Sequence, residues 1–347
     1  MNLKRIVLAV LILGLAVFAY FAYFVYTAMF VENTAFNNDE ACLYIGSNDT
    51  YTDVRIQLEP LLNKIETFDA LARRKQYVNN IKPGKFCISK GMTNNDIINT
   101  IRSQNMPVRL SFNNQNSIGS LAGRIAEQIE TDSLSLYQAM TDSLFLRKNG
   151  LTEETALTIY VPNSYEFFWN TSAEEFRSRM FKEFGNFWDE NRREKAKTLS
   201  MSPDMVVTLA SIVQEESKQS SEQPRIAGVY INRLNSGWPL QADPTLKFAA
   251  YQLPKYKNTV IKRVLNEHKE IDSPYNTYKY LGLPPGPISM PDISAVDAVL
   301  NHEKHEFYFF AADPEKPGFH RFARTLSQHN RNARDYQRYL SEQGIRR

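Results

Sequence analysis

The sequence lacks a strong charge of either sign, and it lacks the short motifs of several common enzyme classes. Its 41 Lys and Arg residues nearly balance 38 Asp and Glu, and the net charge of +3 is too small to indicate nucleic acid as a partner. No G-x-S-x-G elbow, P-loop or G-x-G-x-x-G motif occurs. His302-Glu-Lys-His305 is one residue short of the HExxH pattern that places two histidines on one helix face to bind zinc. The sequence therefore predicts no metal site and no nucleic-acid partner.

The N-terminus contains one long stretch without charge. Ile6–Val31 holds 26 residues with no Asp, Glu, Lys or Arg, and about 20 apolar residues suffice for a helix to span a bilayer. The apolar region of a cleaved signal peptide is shorter, at about 7–15 residues, and ends at a small-residue cleavage site that is not seen here. Lys4 and Arg5 precede the stretch, so the positive-inside rule places residues 1–5 in the cytoplasm. We expect an uncleaved anchor over 6–31, with the rest of the chain outside.

Only two cysteines occur, and both belong to the part expected outside the membrane. Cys42 lies in the strand-like run Ala41–Ile45, and Cys87 lies in the similar run Lys85–Ser89. An oxidising compartment permits a disulfide between them. Two isolated buried thiols are the alternative. We expect the disulfide rather than free thiols, and we expect no catalytic cysteine.

The remaining chain predicts an α+β protein of two parts. Residues 32–40 have the composition of a polar linker, and 41–106 follow the order strand, helix, helix, strand, helix, with Thr93 as a helix N-cap. From 107 to 347 we expect a larger mixed α+β domain. Its predicted strands are 108–112, 307–311 and 320–323, and its predicted helices include 117–130, 133–147, 172–199 and 327–342. The aromatic cluster at 165 and 167–169 fits either a core or a groove that stacks on sugar rings.

A helix that begins at Ser202-Pro203 carries the most informative pattern. Serine as N-cap followed by proline at the first helical position is a helix start. At about 100° per residue, one face collects the apolar residues and also Glu216, about 40° from the centre of that face, whereas Glu215 falls about 140° away. The apolar residues are Met205, Val206, Leu209, Ala210, Ile212 and Val213. We therefore expect Glu216 to point into the protein and Glu215 to point toward solvent.

A carboxyl group on an apolar face has two common explanations. It can be paired with a cation, here Arg225 or Arg233, or its pKa can be raised by burial. A raised pKa suits a general acid near neutral pH. Periodicity alone leaves the structural ion pair and the catalytic acid both open.

Three longer segments narrow the choice, because they resemble the motifs of one family. "LASIVQEES" is followed by "SEQPRIAGVYINRLNSGWPLQADPT" and by "YNTYKYLGLPPGPIS". Over about 80 residues these match nearly every fixed position of the YceG-like (MltG) family of membrane-anchored endolytic lytic transglycosylases of bacterial peptidoglycan. The resemblance implies that 41–106 is a LysM-like module, that 107–347 is the YceG-like catalytic domain, and that Glu216 is the catalytic residue. The family often has Glu two positions earlier, where this chain has Gln214.

The resemblance also singles out candidate substrate contacts. Gln241 could bind a sugar hydroxyl or acetamide, and Asn276, in the loop before Gly282-Leu-Pro-Pro-Gly286, could hydrogen-bond glycan. Asp243 could contact substrate, although an Asp before Pro244 is most often the N-cap of a helix, expected here over 246–251. A structural role is at least as common for Asn232 and Arg233. His329-Asn330 is either a contact or a structural cap.

The implied function is cleavage of the β-1,4 bond from N-acetylmuramic acid to N-acetylglucosamine, giving 1,6-anhydromuramic acid ends. Glu216 would act as acid and then as base, without a cofactor. The implied partners are peptidoglycan glycan strands and their synthases, the penicillin-binding proteins, at the periplasmic side of the inner membrane. Two alternatives are a glycan-binding scaffold without catalysis and a muramidase that uses water.

Overall fold

The computed structural model describes residues 3–257, 259–261 and 263–343, and its fold is mixed α+β with a long apolar N-terminal helix. The helices are α1 (Leu3–Phe30), α2 (Tyr51–Leu58), α3 (Ile65–Arg74), α4 (Asn94–Ser103), α5 (Ile118–Ala126), α6 (Ser133–Met140), α7 (Ser143–Lys148), α8 (Ala173–Phe187), α9 (Glu190–Thr198), α10 (Pro203–Glu216), α11 (Gln223–Asn235), α12 (Asp243–Tyr251), α13 (Asn266–Lys269), α14 (Ile293–Leu300) and α15 (Leu326–Glu342). The strands are β1 (Glu40–Ile45), β2 (Gly84–Ser89), β3 (Pro107–Phe112), β4 (Asn163–Phe168), β5 (Phe309–Ala312) and β6 (His320–Ala323).

The chain forms two compact units. Unit 1 contains the residues up to Leu110 together with 126–131 and 165–172, and unit 2 contains 111–125, 132–164 and the chain from Ala173 onward. Helix α1 belongs to unit 1 and is long and apolar enough to cross a membrane. Its side chains are mostly exposed, as they would be against lipid.

The two cysteines are bridged across a pair of antiparallel strands in unit 1. Strands β1 and β2 are antiparallel, and their register places Cys42 directly opposite Cys87. A disulfide joins the two residues, so the expected bridge is confirmed. Behind this pair lies an apolar core that includes Leu43, Phe68 and Ile97.

The segment expected to be a polar linker, 32–40, is hydrogen-bonded to the rest of unit 1. The backbone of Asn33 donates to the carbonyl of Met92 (3.0 Å), and its side chain exchanges hydrogen bonds with the backbone of Lys64 and with buried Asn94. Asn94 also donates to the carbonyl of Ala28 at the end of α1 (3.2 Å). Composition alone could not reveal these hydrogen bonds, because the partners of Asn33 lie far from it in sequence.

Several predicted helices are shorter than their periodicity suggested. The expected helix 133–147 is two helices, α6 and α7, and 172–199 is also two, α8 and α9. Each break falls at an aspartate, Asp142 or Asp189, whose side chain accepts a backbone N–H of the following helix. The predicted cap at Thr93 is confirmed, since its hydroxyl accepts the N–H of Asp96 (3.2 Å).

The aromatic cluster near β4 is partly packed and partly exposed. Phe167 is buried, and the ring of Trp169 packs edge-on against Tyr44 in the same unit, with centroids 5.3 Å apart. Phe168 is exposed. The cluster therefore contributes to the packing of unit 1 through Phe167 and Trp169.

Helix α10 is the central helix of unit 2. It packs against α11 and α14, and every residue from Val206 to Gln214 is buried. Polar residues on its other sides are satisfied locally or by neighbours; for example, the Ser211 hydroxyl donates to Thr208 O and accepts the N–H of Ile288. Met205, which the helical wheel placed on the buried face, lies near the start of the helix and is exposed. The helix ends at Glu216, where the packed core gives way to a cleft.

Candidate active site

The adjacent glutamates at the end of α10 point in different directions, as the helical wheel predicted. Glu215 is exposed, and its carboxylate forms an ion pair with Lys218 (3.0 Å). Glu216 is partly buried, and its carboxylate accepts a hydrogen bond from the hydroxyl of Tyr230 (2.7 Å). Tyr230 is a fully buried residue of α11. The packing of α11 against α10 therefore fixes the position of the Glu216 side chain.

The electrostatic environment of Glu216 favours its neutral form. Burial is the main cause, and it raises the pKa of Glu216 to about 7, with a further increase from the negative charge of Asp243. The hydrogen bond from Tyr230 and the charges of His320 and Arg233 act in the opposite direction. A carboxyl group with this pKa can give and take a proton near neutral pH.

The structural ion pair is not formed. Arg225 pairs with Glu303 (2.9 Å). Arg233 donates to the carbonyls of Tyr308 (2.8 Å) and Leu240, and its guanidinium lies near the ring of Phe309. Among the described residues, the hydrogen-bond partner of Glu216 is the neutral phenol of Tyr230.

Glu216 lies in a cleft of about 360 Å³ that is open to solvent. The cleft brings together charged, polar and aromatic side chains from α10, α11, α12, β5, α15 and the loops between them. Its lining residues are Glu216, Tyr230, Arg233, Gln241, Asp243, Tyr278, Phe309, Phe310, Leu326 and His329. Aromatic walls with a few polar groups are typical of carbohydrate and other small-ligand sites.

Asp243 lines this cleft and does not cap a helix. Helix α12 begins at Asp243 itself, its N-cap is Ala242, and the hydroxyl of Thr245 bonds the Ala242 carbonyl. The Asp243 carboxylate accepts the hydroxyl of Tyr278 (2.6 Å). The prediction of an N-cap was wrong because the partner of Asp243 lies 35 residues farther along the chain.

Gln241 and Asn276 have opposite environments. Gln241 has a positive φ of 48°, its backbone N–H donates to Thr277 O (3.0 Å), and its side chain is exposed at the cleft. Asn276 is fully buried; its amide donates to the carbonyls of Lys269 and Ile271 and accepts the N–H of Tyr278. Asn276 therefore shapes the loop that carries Tyr278, and its side chain is not exposed at the cleft.

The other motif residues, Asn232, His329 and Asn330, also have defined positions. The Asn232 side chain donates to the carbonyls of His305 and Phe307, which is a structural role. His329 lines the cleft with its ring stacked on Phe309 (centroids 5.4 Å apart), and burial lowers the pKa of His329, which favours the neutral ring. Asn330 is exposed.

Sequence reasoning missed the tyrosines that hold the two acids. Tyr230 and Arg233 lie three residues apart on α11, so a helical wheel of α11 would have placed both on one face of that helix. Tyr278 lies in the quoted motif, but its contact with Asp243 has no local signal. Phe309 and Phe310 were expected only as part of a strand.

Comparisons with known proteins agree with this picture. The sequence model of the YceG-like family matches residues 43–335. An endolytic murein transglycosylase of Bacillus subtilis (strain 168) is 36% identical over 167 residues, which are 48% of this chain and 44% of that protein. One of Streptococcus pneumoniae serotype 2 (strain D39) is 23% identical over 323 residues, 84% of this chain and 57% of that protein. This chain thus spans about half the length of these relatives.

A solved structure of a YceG-like protein is also similar to this chain. The crystal structure of a YceG-like protein from Listeria monocytogenes superposes with a TM-score of 0.55 at 26% identity, covering 85% of this chain and 99% of that one. Because the family match extends over most of the sequence, this chain belongs to the YceG-like family.

Proposed function

We propose that this protein is a lytic transglycosylase that cleaves peptidoglycan internally, at the β-1,4 bond from N-acetylmuramic acid to N-acetylglucosamine. One observation carries the proposal: Glu216, with a pKa of about 7, lies in an open cleft and has a neutral hydrogen-bond partner. The names of the Bacillus and Streptococcus relatives support the substrate class.

In the proposed reaction, Glu216 protonates the oxygen that leaves C1 of the muramic residue. The resulting carboxylate then accepts the proton of the C6 hydroxyl of the same sugar, which attacks C1 and closes the 1,6-anhydro ring. One carboxyl group suffices because the nucleophile is tethered to the substrate, with an effective concentration of up to about 10⁵ M or more in well-oriented cases. Gln241 and Asp243, which line the cleft, are the proposed contacts to the sugar.

Asp243 gives a specific reason to keep a second candidate, a muramidase that uses water. Glycosidases of that kind commonly use two carboxyl groups, one as acid and one as base or nucleophile. Asp243 is in the cleft with Glu216, and it is not committed to capping α12. Its carboxylate is held by Tyr278, however, which favours a fixed electrostatic role.

Digestion of purified, peptide-free glycan strands in ¹⁸O-water separates the two reactions. The proposal predicts products that end in 1,6-anhydromuramic acid without label, detected by mass spectrometry. Reducing ends that carry ¹⁸O as the main product would overturn the lyase and support the muramidase. In that case Asp243→Asn should remove the labelled product.

The proposed organisation follows from the same resemblance. We assign 6–31 as a membrane anchor with residues 1–5 in the cytoplasm, 41–106 as a LysM-like glycan-binding module, and 107–347 as the periplasmic catalytic domain, near the penicillin-binding proteins that make new strands. Helix α1 supports the anchor by its length and apolar character. Fractionation tests it: the full-length chain should stay with inner membranes, and a soluble form beginning near residue 30 would contradict the anchor.

A further inference from the structure

A second acidic residue, Glu222, is buried next to the cleft but does not line it. Glu222 immediately precedes α11 and is 6% exposed. Its carboxylate accepts the backbone N–H of His320 (2.7 Å) and contacts Nδ1 of the same histidine (2.8 Å). A buried carboxylate with two bonds to one histidine fixes the ring orientation, and it favours a proton on Nδ1.

The same carboxylate also holds the residue that follows Glu216. The buried Ser217 hydroxyl hydrogen-bonds Glu222, and the side chain of Gln223 donates to the Ser217 carbonyl (3.0 Å). Glu222 thus joins the end of α10 to the first residue of β6. Both elements contribute to the site, since α10 ends at Glu216 and β6 pairs with β5, which carries Phe310 into the cleft.

His320 lies between this buried carboxylate and the catalytic region. Its ring packs edge-on against Phe310, with centroids 5.1 Å apart. Phe310 in turn packs edge-on against Tyr230, with centroids 6.0 Å apart, and Tyr230 is the hydrogen-bond partner of Glu216. Positive charge on His320 favours the carboxylate form of Glu216, whose other nearby charges are Asp243 and Arg233. That form appears in the proposed reaction after Glu216 has given its proton away.

We propose that Glu222 and His320 form a positioning pair: Glu222 fixes the His320 ring, and His320 stabilises Glu216 in the step between proton donation and proton return. This inference rests on the proposed role of Glu216 as acid and base. Neither residue of the pair needs to touch substrate. Tyr230, Asp243 and Arg233 remain around Glu216 when the pair is changed, so the effect of the pair can be separated from theirs.

His320→Gln tests the electrostatic part, because glutamine can donate a hydrogen bond to Glu222 but carries no charge. Without the cation, the pKa of Glu216 should rise, so the alkaline limb of the pH–rate profile should move up by about half a pH unit or more. Turnover should fall by roughly 10-fold or more, with little change in KM. Glu222→Gln tests the positioning part and should lower turnover by roughly 10- to 100-fold, as small misplacements of catalytic groups do.

Glu303→Gln is the matched control. It removes the carboxylate of the Arg225–Glu303 ion pair, which also contacts α11 but lies outside the cleft. Its pH–rate profile should match that of the unchanged protein. A purely structural role for the pair would lower the melting temperature and turnover of His320→Gln without moving the alkaline limb.

Titration of the Glu216 carboxyl by ¹³C NMR, assigned with Glu216→Gln, gives a readout that does not depend on glycan cleavage. The pair predicts that Glu216 titrates at higher pH in folded His320→Gln than in the unchanged protein. An unchanged titration and an unmoved alkaline limb in this variant would overturn the pair. If the unchanged protein does not cleave glycan strands, the proposed function is contradicted. The titration would still decide whether His320 stabilises the carboxylate of Glu216.

Discussion

Buried polar side chains occur in both units, but they are paired to different degrees. In unit 1, fully buried Asn94 bonds Asn33, Thr67 and the carbonyl of Ala28. In unit 2, partly buried Glu216 has Tyr230 as its hydrogen-bond partner among the described residues, and it lines an open cleft. A polar group with all its partners holds the fold together, whereas a titratable group left incompletely paired in a cleft retains capacity for a ligand.

The same contrast exists inside unit 2 at the two candidate substrate residues. The side-chain amide of Asn276 forms hydrogen bonds with three backbone groups, whereas the side chain of Gln241 is exposed at the cleft. Family resemblance alone gave both residues the same expected role. Their hydrogen bonds distinguish them, so the contrast can be tested by substitution.

The largest effect on stability is expected at the disulfide of unit 1. Replacing Cys42 and Cys87 together with serine releases a loop of 45 residues and should lower the free energy of unfolding of unit 1 by about 2–4 kcal/mol. Denaturant unfolding followed by amide hydrogen exchange in β1 and β2 measures the change. Glycan cleavage by unit 2 under native conditions should persist, and a stability equal to that of the oxidised protein would show that the bridge is not structural.

Asn276→Ala and Gln241→Ala should separate stability from substrate binding. Asn276→Ala leaves buried carbonyls without a donor and should cost about 1–3 kcal/mol of stability. Gln241→Ala should leave the melting temperature nearly unchanged and raise KM for glycan strands. Thermal unfolding and steady-state kinetics on the same preparations decide. A stable Asn276→Ala with a raised KM would reverse the two assignments.

A smaller effect is expected on the pH dependence of stability. The pKa of Glu216 is raised from an ordinary value of 4.5 to about 7 in the folded protein, so between these values the native state binds a proton that the unfolded chain has released. The contribution of this group to stability is therefore complete below about pH 4.5 and is lost as the pH rises through 7. The full shift corresponds to about 3 kcal/mol. Because Glu216 is only partly buried and solvent screens its charge, Glu216→Gln should gain about 1–2 kcal/mol over the unchanged protein at pH 8 and nothing at pH 4.

Thermal unfolding of both proteins across this pH range provides the comparison. Glu215→Gln serves as its control, because Glu215 is exposed. Its stability difference from the unchanged protein should not follow the same pH dependence. A pH-independent difference for Glu216→Gln would mean that burial does not raise the pKa of Glu216.

Local sequence signals predicted much of the fold and the central residue of the site. Ser202-Pro203 marked the start of α10, and 3.6-residue periodicity then set the directions of Glu215 and Glu216. Short strand-like runs identified β1, β2, β5 and β6. These features depend on residues close together in sequence.

Features that depend on distant partners were not predicted. Asp243-Pro244 has the local pattern of a helix N-cap, but the Asp243 carboxylate accepts a hydrogen bond from the hydroxyl of Tyr278. Residues 32–40 have the composition of a linker, but Met92 and Asn94 bond them to unit 1. The helix breaks at Asp142 and Asp189 do not depend on distant partners. Each aspartate is a local N-cap signal, and the prediction followed the apolar periodicity instead of that signal.

The most direct test of the central claim compares the two neighbouring glutamates on peptide-free glycan strands. Glu216→Gln keeps the shape of the side chain but cannot exchange a proton, so cleavage should fall by about 10³-fold or more. Glu215→Gln removes an exposed carboxylate paired with Lys218 and should retain activity within about twofold. Equal losses in the two folded variants, or full activity in Glu216→Gln, would contradict the assignment of Glu216 as the acid and base of this site.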